Sequence, residues 1–166
     1  MTAAVKKPST RVRADAVDFL TADHKEVHAL FGHYKKLCKA EAPAADREAV
    51  AMQICDALTV HATIEEEIFY PAARAAAIDS ALLDEAEVEH ASAKDLIAQL
   101  RGMTPDGELY DAKVVVLGEY IDHHVQEEQN ELFPACKKAK LDLMAIGKEL
   151  AARKAELMAE LNEEVV

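Results

Sequence analysis

The chain has 166 residues, room for one domain whose core needs neither a disulfide nor a metal merely to fold. Hydrophobic residues make up 51% and charged residues 30%, with 5 Gly, 5 Pro and no Trp, which excludes disordered and collagen-like classes. A net charge of −12 argues against nucleic acid or an anionic membrane surface as the main partner and is compatible with cations.

Residues 1–13, MTAAVKKPSTRVR, carry no periodicity and read as a flexible tail. Their basic start lacks the apolar core of a secretory signal, and no apolar run approaches the ~20 residues of a membrane span. A first helix is predicted from about Ala14 to Cys38, with Leu20, Val27, Phe31 and Tyr34 on its stripe. A second runs from about Asp46 to Ala77, striped by Ile54, Leu58, Ile68 and Ala72. Asp79-Ser80 opens a third, striped by Leu83, Ala86, Ala93, Ile97 and Leu100 and ended by Gly102, Pro105 and Gly107. The fourth, from about Leu109 to Lys138, carries Val114, Leu117, Ile121, Leu132 and Ala135. A fifth segment, Leu141 to Leu161, places Leu143, Leu150 and Leu157 seven apart, an amphipathic helix that must lay its stripe on its own bundle or on a partner subunit. The expected fold is all-α: an up-down-up-down antiparallel four-helix bundle over residues 14–138, with an additional C-terminal helix over residues 139–166. Cys38, Cys55 and Cys136 are widely spaced, form no CxxC and read as reduced thiols of a cytoplasmic protein.

The core stripes are interrupted by polar residues. His24 falls on the first, His61 and Glu65 on the second, His90 on the third, His124 and Glu128 on the fourth. Burying an unpaired carboxylate costs several kcal/mol, so these groups need a partner, and a cation bound between the helices is the simplest one. Residues at i and i+4 share a helix face, so HxxxE lets an imidazole and a carboxylate reach one metal, or lets the carboxylate bridge two. With 31 acidic residues in 166, about one histidine in five would have an acid four residues on by chance, so a single HxxxE says little. Six ligand-type side chains on the inner stripes of four helices are much harder to explain as core filling. The segments HATIEEEIFYP and HVQEEQNELFP also echo each other: His, Glu four later, an aromatic nine later, Pro ten later. Two hairpins of similar design, related by a pseudo-twofold, would set two metal half-sites face to face.

ADHKEVHALF, HATIEEEIFYP, EVEHASAKDL and HHVQEEQNELFP together resemble the hemerythrin-like family, also called the HHE cation-binding domain, over about residues 15–138. The resemblance implies a non-haem di-iron centre in a four-helix bundle. His24, His61, His90 and His124 would be terminal ligands, and Glu65 and Glu128 would bridge two iron ions joined by an oxo or hydroxo group. Oxygen-carrying hemerythrins resemble this pattern but use five histidines, with a second one a turn away on the third helix. Here Ala86 and Lys94 occupy those positions. Candidates to fill the missing place are His28, Glu87, Tyr120 and Glu131, each weighed against a pocket wall or a solvated flank. His33 and His123 read as surface or outer-sphere residues.

A ferritin-like plan wants two ExxH motifs, and only Glu87-Val88-Glu89-His90 supplies one, because position 121 is Ile. A structural zinc site closes with four ligands, whereas six arranged for two ions suit iron or manganese better. The ligands expected at such a centre are O2, H2O2 and NO, with a redox, catalase-like handling of peroxide as the leading function. A non-catalytic module for oxygen, NO or iron binding, storage or sensing is the alternative, and a purely structural bundle the third. Neither nucleic acid nor a membrane is expected as a partner, and a homodimer through the C-terminal helix is possible.

Overall fold

The computed structural model describes residues 14–165, so the tail expected for residues 1–13 lies outside the described part. Helix α1 is Ala16–Lys39. Helix α2 is a rod of three parts, Ala44–Ile64, a π-helical turn Glu65–Phe69, and Tyr70–Ala75. Helix α3 is Ser80–Arg101. Helix α4 repeats the α2 design with Tyr110–Glu127, a π-helical turn Glu128–Leu132, and Phe133–Lys138. Helix α5 is Leu143–Glu164. The described residues contain no strand, and the all-α bundle with an added C-terminal helix is the fold the periodicity predicts.

Local chemistry explains where the helices start. Asp15 caps α1 in a reciprocal box, accepting from the Asp18 N–H at 2.9 Å while Asp18 accepts from the Asp15 N–H. Asp79 caps α3 through the Ala81 N–H, and Asp142 caps α5 through the Ala145 N–H. Three helix ends need no glycine. Glu41, Ala77 and Lys140 take the left-handed conformation, at φ 50°, 58° and 55°, to close α1, α2 and α4. The local cost of ~1–2 kcal/mol per residue is offset by closing bonds such as Ala42 N–H to Leu37 O and Ile78 N–H to Ala73 O.

The π-helical turns answer the prolines. A proline ring inside a helix clashes with the carbonyl four residues back. Here Tyr70 N–H reaches back five residues to Glu65 O, and Phe133 N–H to Glu128 O. The widened turn delivers the chain to Pro71 and Pro134 in the first turn of the following segment. Each extra residue slips the inward stripe by one. The 3.6-residue period predicts Ile68, Ala72 and Ala135 as core. The buried positions are instead Phe69, Ala73 and Cys136, with Ile68, Ala72 and Ala135 only partly buried.

Around the bundle, α1 neighbours α2 and α4, and α3 neighbours α4 and α2. The apolar core falls into two clusters. One surrounds Leu20, Ile64, Phe69, Leu83 and Phe133, the other Phe31, Tyr34, Ile54, Leu100 and Leu117. His24, His61, Glu65, His90, His124 and Glu128 belong to neither cluster and are all buried. Helix α5 lies across α1 and α2, burying Ile146, Gly147 and Leu150. A Cβ on Gly147 would come within 2.9 Å of the backbone of Asp15 and Ala16, so this crossing requires glycine. Arg153 reaches Glu67 at 2.8 Å, and Lys154 reaches Asp23 at 2.6 Å. Among the described residues no helix is long and apolar enough to cross a membrane.

Candidate metal centre

The six buried side chains converge. His24 Nε2 and His61 Nε2 lie 3.2 Å apart, and His90 Nε2 and His124 Nε2 lie 3.3 Å apart. Two nitrogens each ~2.1 Å from one ion, at tetrahedral or octahedral angles, are about 3.0–3.4 Å apart, so both pairs have the spacing a shared cation imposes. The carboxylates knit the pairs together. Glu65 Oε1 is 2.9 Å from His61 Nε2 and 3.4 Å from His90 Nε2. Glu128 Oε2 is 3.3 Å from His24 Nε2 and 3.4 Å from His124 Nε2. Each glutamate therefore faces a histidine of both pairs, which the sequence order alone does not provide.

Outside this inner ring, acids hold the histidines by their other nitrogens. Asp23 Oδ2 is 3.0 Å from His61 Nδ1, and Glu89 Oε1 is 3.0 Å from His124 Nδ1. A carboxylate that takes the Nδ1 proton fixes the tautomer whose Nε2 lone pair faces the centre, the form a metal needs. Gln129 Nε2 lies 3.2 Å from His24 Nδ1; with the amide turned over, its oxygen would accept that ring's proton. Its pseudo-twofold counterpart is Glu66, which stands 3.8 Å from His90 Nδ1 and is drawn away by Lys94 at 2.6 Å. His90 Nδ1 is left buried without a hydrogen bond.

The electrostatics follow from this packing. Burial opposes a charged His61, but the Glu65 charge and the hydrogen bonds to Asp23 and Glu65 outweigh it and push its pKa up to about 10. His124 is likewise raised to about 11 against burial, by hydrogen bonds to Glu128 and Glu89. Burial pushes the Glu65 carboxyl up, yet the His61 charge prevails and holds it well below its ordinary range. Even so, neither oxygen of Glu65 nor Oε2 of Glu128 receives a well-directed hydrogen bond. Buried carboxylate oxygens without donors, opposite four imidazole nitrogens of fixed orientation, are a donor set that fits two borderline cations.

The two halves are unequal. His24, His61, Glu65 and Glu128 form one tight group of four buried donors, and Glu65, His90 and His124 another of three, with Glu128 reaching only His124 of that pair. On that second side stands Tyr70, whose hydroxyl lies 3.2 Å from His90 Nε2 and 3.4 Å from His124 Nε2 and donates to Glu128 Oε1 at 3.0 Å. Burial first, then the charges of Glu128 and Glu65, hold this phenol protonated, well above its ordinary pKa. At the counterpart position Phe133 stacks on His24, with ring centroids 5.9 Å apart and planes at 3°. A cavity of about 30 Å3 touches all four histidines and is otherwise walled largely by Val27, Leu58, Ala93, Ile97, Ile121 and Val125.

None of the four candidates for the missing ligand position reaches the centre. His28 is exposed and faces Asp122 at 3.5 Å. Glu87 is on the surface near Arg74, Tyr120 is 48% exposed, and Glu131 is exposed. One helical turn from a ligand is not enough when the intervening angle points the side chain outward. His33 is exposed, and His123, on the surface, lies 3.7 Å from Glu89. The sequence reading missed Tyr70, Asp23 and Glu89 as residues of the centre. The signals were present: an aromatic before each buried-helix proline, and an acid immediately before His24 and before His90.

Known proteins place this centre in context. A hemerythrin HHE cation binding domain-containing protein from Mycobacterium kansasii has a similar fold, with a TM-score of 0.76 over 92% of each chain at 23% identity. A DNA nickase from Nostoc sp. is 28% identical over 134 residues, which are 81% of this chain. They make up only 37% of that relative, so this chain spans little more than a third of its length. The Hemerythrin HHE cation binding domain family matches residues 15–136, a span that holds all six inward ligand-type residues. The chain belongs to the hemerythrin HHE cation-binding domain family.

Proposed function

We propose that the centre holds two iron ions and that the protein disproportionates hydrogen peroxide. The unequal surroundings of the two pairs carry this reading: the Tyr70 hydroxyl stands against His90 and His124, where Phe133 stacks on His24 on the other side. The side that meets a hydroxyl instead of a stacked ring is where a small polar molecule would be received. Two irons would supply the electron exchange by which two H2O2 become two H2O and one O2. His24 and His61 would hold one ion and His90 and His124 the other, with Glu65 and Glu128, each facing a histidine of both pairs, shared between them. Asp23 and Glu89 keep the two HxxxE imidazoles in the ligating tautomer. Tyr70 keeps its proton at Oη, which it donates to Glu128 Oε1, and would be the nearest proton donor on the His90–His124 side. The apolar walls of the cavity limit water at the centre. An acidic chain at −12 gives no support to a phosphate-backbone partner, so the nicking named for the Nostoc relative is not carried over. The Cys55 and Cys136 thiols, pushed up to about 11 mainly by burial, suit a reducing, cytoplasmic setting.

The cavity favours a second reading. Its lining is almost wholly apolar apart from the histidines, which suits O2 or NO better than peroxide and fits a binding or sensing module without turnover. One experiment separates these. Protein purified from iron-supplemented cells is assayed for iron, for its visible spectrum and for O2 release from peroxide. Two irons per chain, with one O2 released per two H2O2, is the expected result. Two irons with reversible spectral changes under O2 or NO, and no peroxide turnover, would transfer the function to the second reading. No bound metal would leave the histidines a structural role.

A further inference from the structure

Helix α5 begins after the family match ends at residue 136, yet one of its side chains reaches toward the centre. Lys154 Nζ lies 2.6 Å from Asp23 Oδ1, and the other oxygen of the same carboxylate lies 3.0 Å from His61 Nδ1. Asp23 is 6% exposed. It is therefore a buried relay with one oxygen on the ammonium and one on the imidazole. Lys154 is held in turn by its ammonium lying over the Phe19 ring, with Nζ 5.6 Å from the centroid, and by Glu26 at 3.6 Å.

The pseudo-twofold supplies an internal control. Glu89 stands to His124 as Asp23 stands to His61, at the same 3.0 Å. No ammonium contacts Glu89 among the described residues; its second oxygen meets only exposed His123, at 3.7 Å. The Glu89 side chain is 23% exposed against 8% for Asp23. One outer-sphere carboxylate is clamped by a helix from outside the bundle, and its twin is not.

We propose that Lys154 is a positioning residue for the His24–His61 half of the centre, clamping Asp23 so that His61 is held in its ligating orientation, and that α5 thereby makes one metal of the pair slower to leave than the other. The inference rests on the metal-centre reading above. Orientation of a ligating histidine by an outer-sphere carboxylate is worth about 10-fold to 100-fold in metal affinity. A carboxylate that has lost its ammonium partner can rotate away or solvate, and part of that factor goes with it. The second half of the centre, with no such clamp to lose, keeps its own metal.

The test uses the full chain loaded anaerobically with ferrous iron, then challenged with an excess of ferrozine while release is followed by absorbance. Wild type is expected to release its two irons in separable phases. Lys154→Met should accelerate the slower phase by about 10-fold or more and leave the faster one unchanged. Lys154→Arg, which keeps a cation beside Asp23, should restore most of the slow phase. Arg153→Gln breaks the neighbouring α5 contact to Glu67 and should leave both phases as in wild type. Equal acceleration by Arg153→Gln and Lys154→Met would show that α5 docking alone matters and would overturn the proposal. So would a Lys154→Met variant that releases iron like wild type. A wild-type chain that takes up no iron at all would instead overturn the metal-centre reading, and this inference with it.

Discussion

The two hairpins, α1–α2 and α3–α4, are built on one plan and finished differently. His24 matches His90, His61 matches His124, Glu65 matches Glu128, and both carboxylates begin a π-helical turn that ends at a proline. The differences lie one layer further out. Tyr70 faces the His90–His124 pair, where Phe133 covers His24 on the other side. Asp23 is clamped by Lys154, whereas among the described residues Glu89 is clamped by nothing comparable. The inner ring thus sets two histidine pairs and two carboxylates face to face, and the outer layer makes the two halves unequal.

The largest effect is expected where the halves are joined. Glu65→Ala removes the carboxylate that faces both histidine pairs and should abolish stoichiometric iron uptake, together with the rise in Tm that iron gives wild type. That rise reflects ~2.7 kcal/mol at a free metal concentration 100 times Kd. Metal analysis and a thermal melt with and without iron check both. His61→Ala should cost at least the iron on its own side. Retention of two irons with an unchanged spectrum would refute the assignment of that half.

Gly147→Ala comes next. The added methyl meets the backbone of Asp15 and Ala16, so α5 must shift, at a cost of ~1–3 kcal/mol read by denaturant titration. Removing metal exposes a pH dependence with a definite sign. In the metal-free chain, His61 at about 10 and His124 at about 11 stand above their ordinary 6.5. Their contribution to stability is complete below pH 6.5 and declines as pH rises, until it is lost beyond those folded-state values. The melting temperature of chelator-treated protein should therefore fall from neutral pH toward pH 10. Iron affinity should rise over the same span, because binding must displace those protons.

Tyr70→Phe makes the two halves more alike. It should change stability by only about 1 kcal/mol while altering the visible spectrum and slowing peroxide turnover, a separation that a merely structural hydroxyl would not give. The smallest effects belong to the exposed histidines. His28→Ala and His33→Ala should leave iron content unchanged and stability within about 0.5 kcal/mol.

What the sequence by itself determined is the part governed by local spacing. Apolar residues three and four apart specify the helices, Asp15, Asp79 and Asp142 set three starts, and the ordered H, HxxxE, H, HxxxE names the six inward side chains. Each of these is a property of one helix and its period. What only the tertiary structure decided depends on a second helix or on a departure from the period. The prolines at 71 and 134 were legible, but the π-helical turns that accommodate them moved the core from Ile68, Ala72 and Ala135 to Phe69, Ala73 and Cys136 and turned Tyr70 into the centre. The gap at the missing fifth histidine was legible too. The side chain that approaches the His90–His124 pair is a tyrosine from α2, not one of the candidates on α1, α3 or α4, because reaching a site across a bundle depends on side-chain direction and not on distance along the chain. Lys154 lies 131 residues from the aspartate it holds, and no periodicity links the two. That contact exists because a buried carboxylate needs a partner, and only the packing of α5 on α1 and α2 brings one within reach.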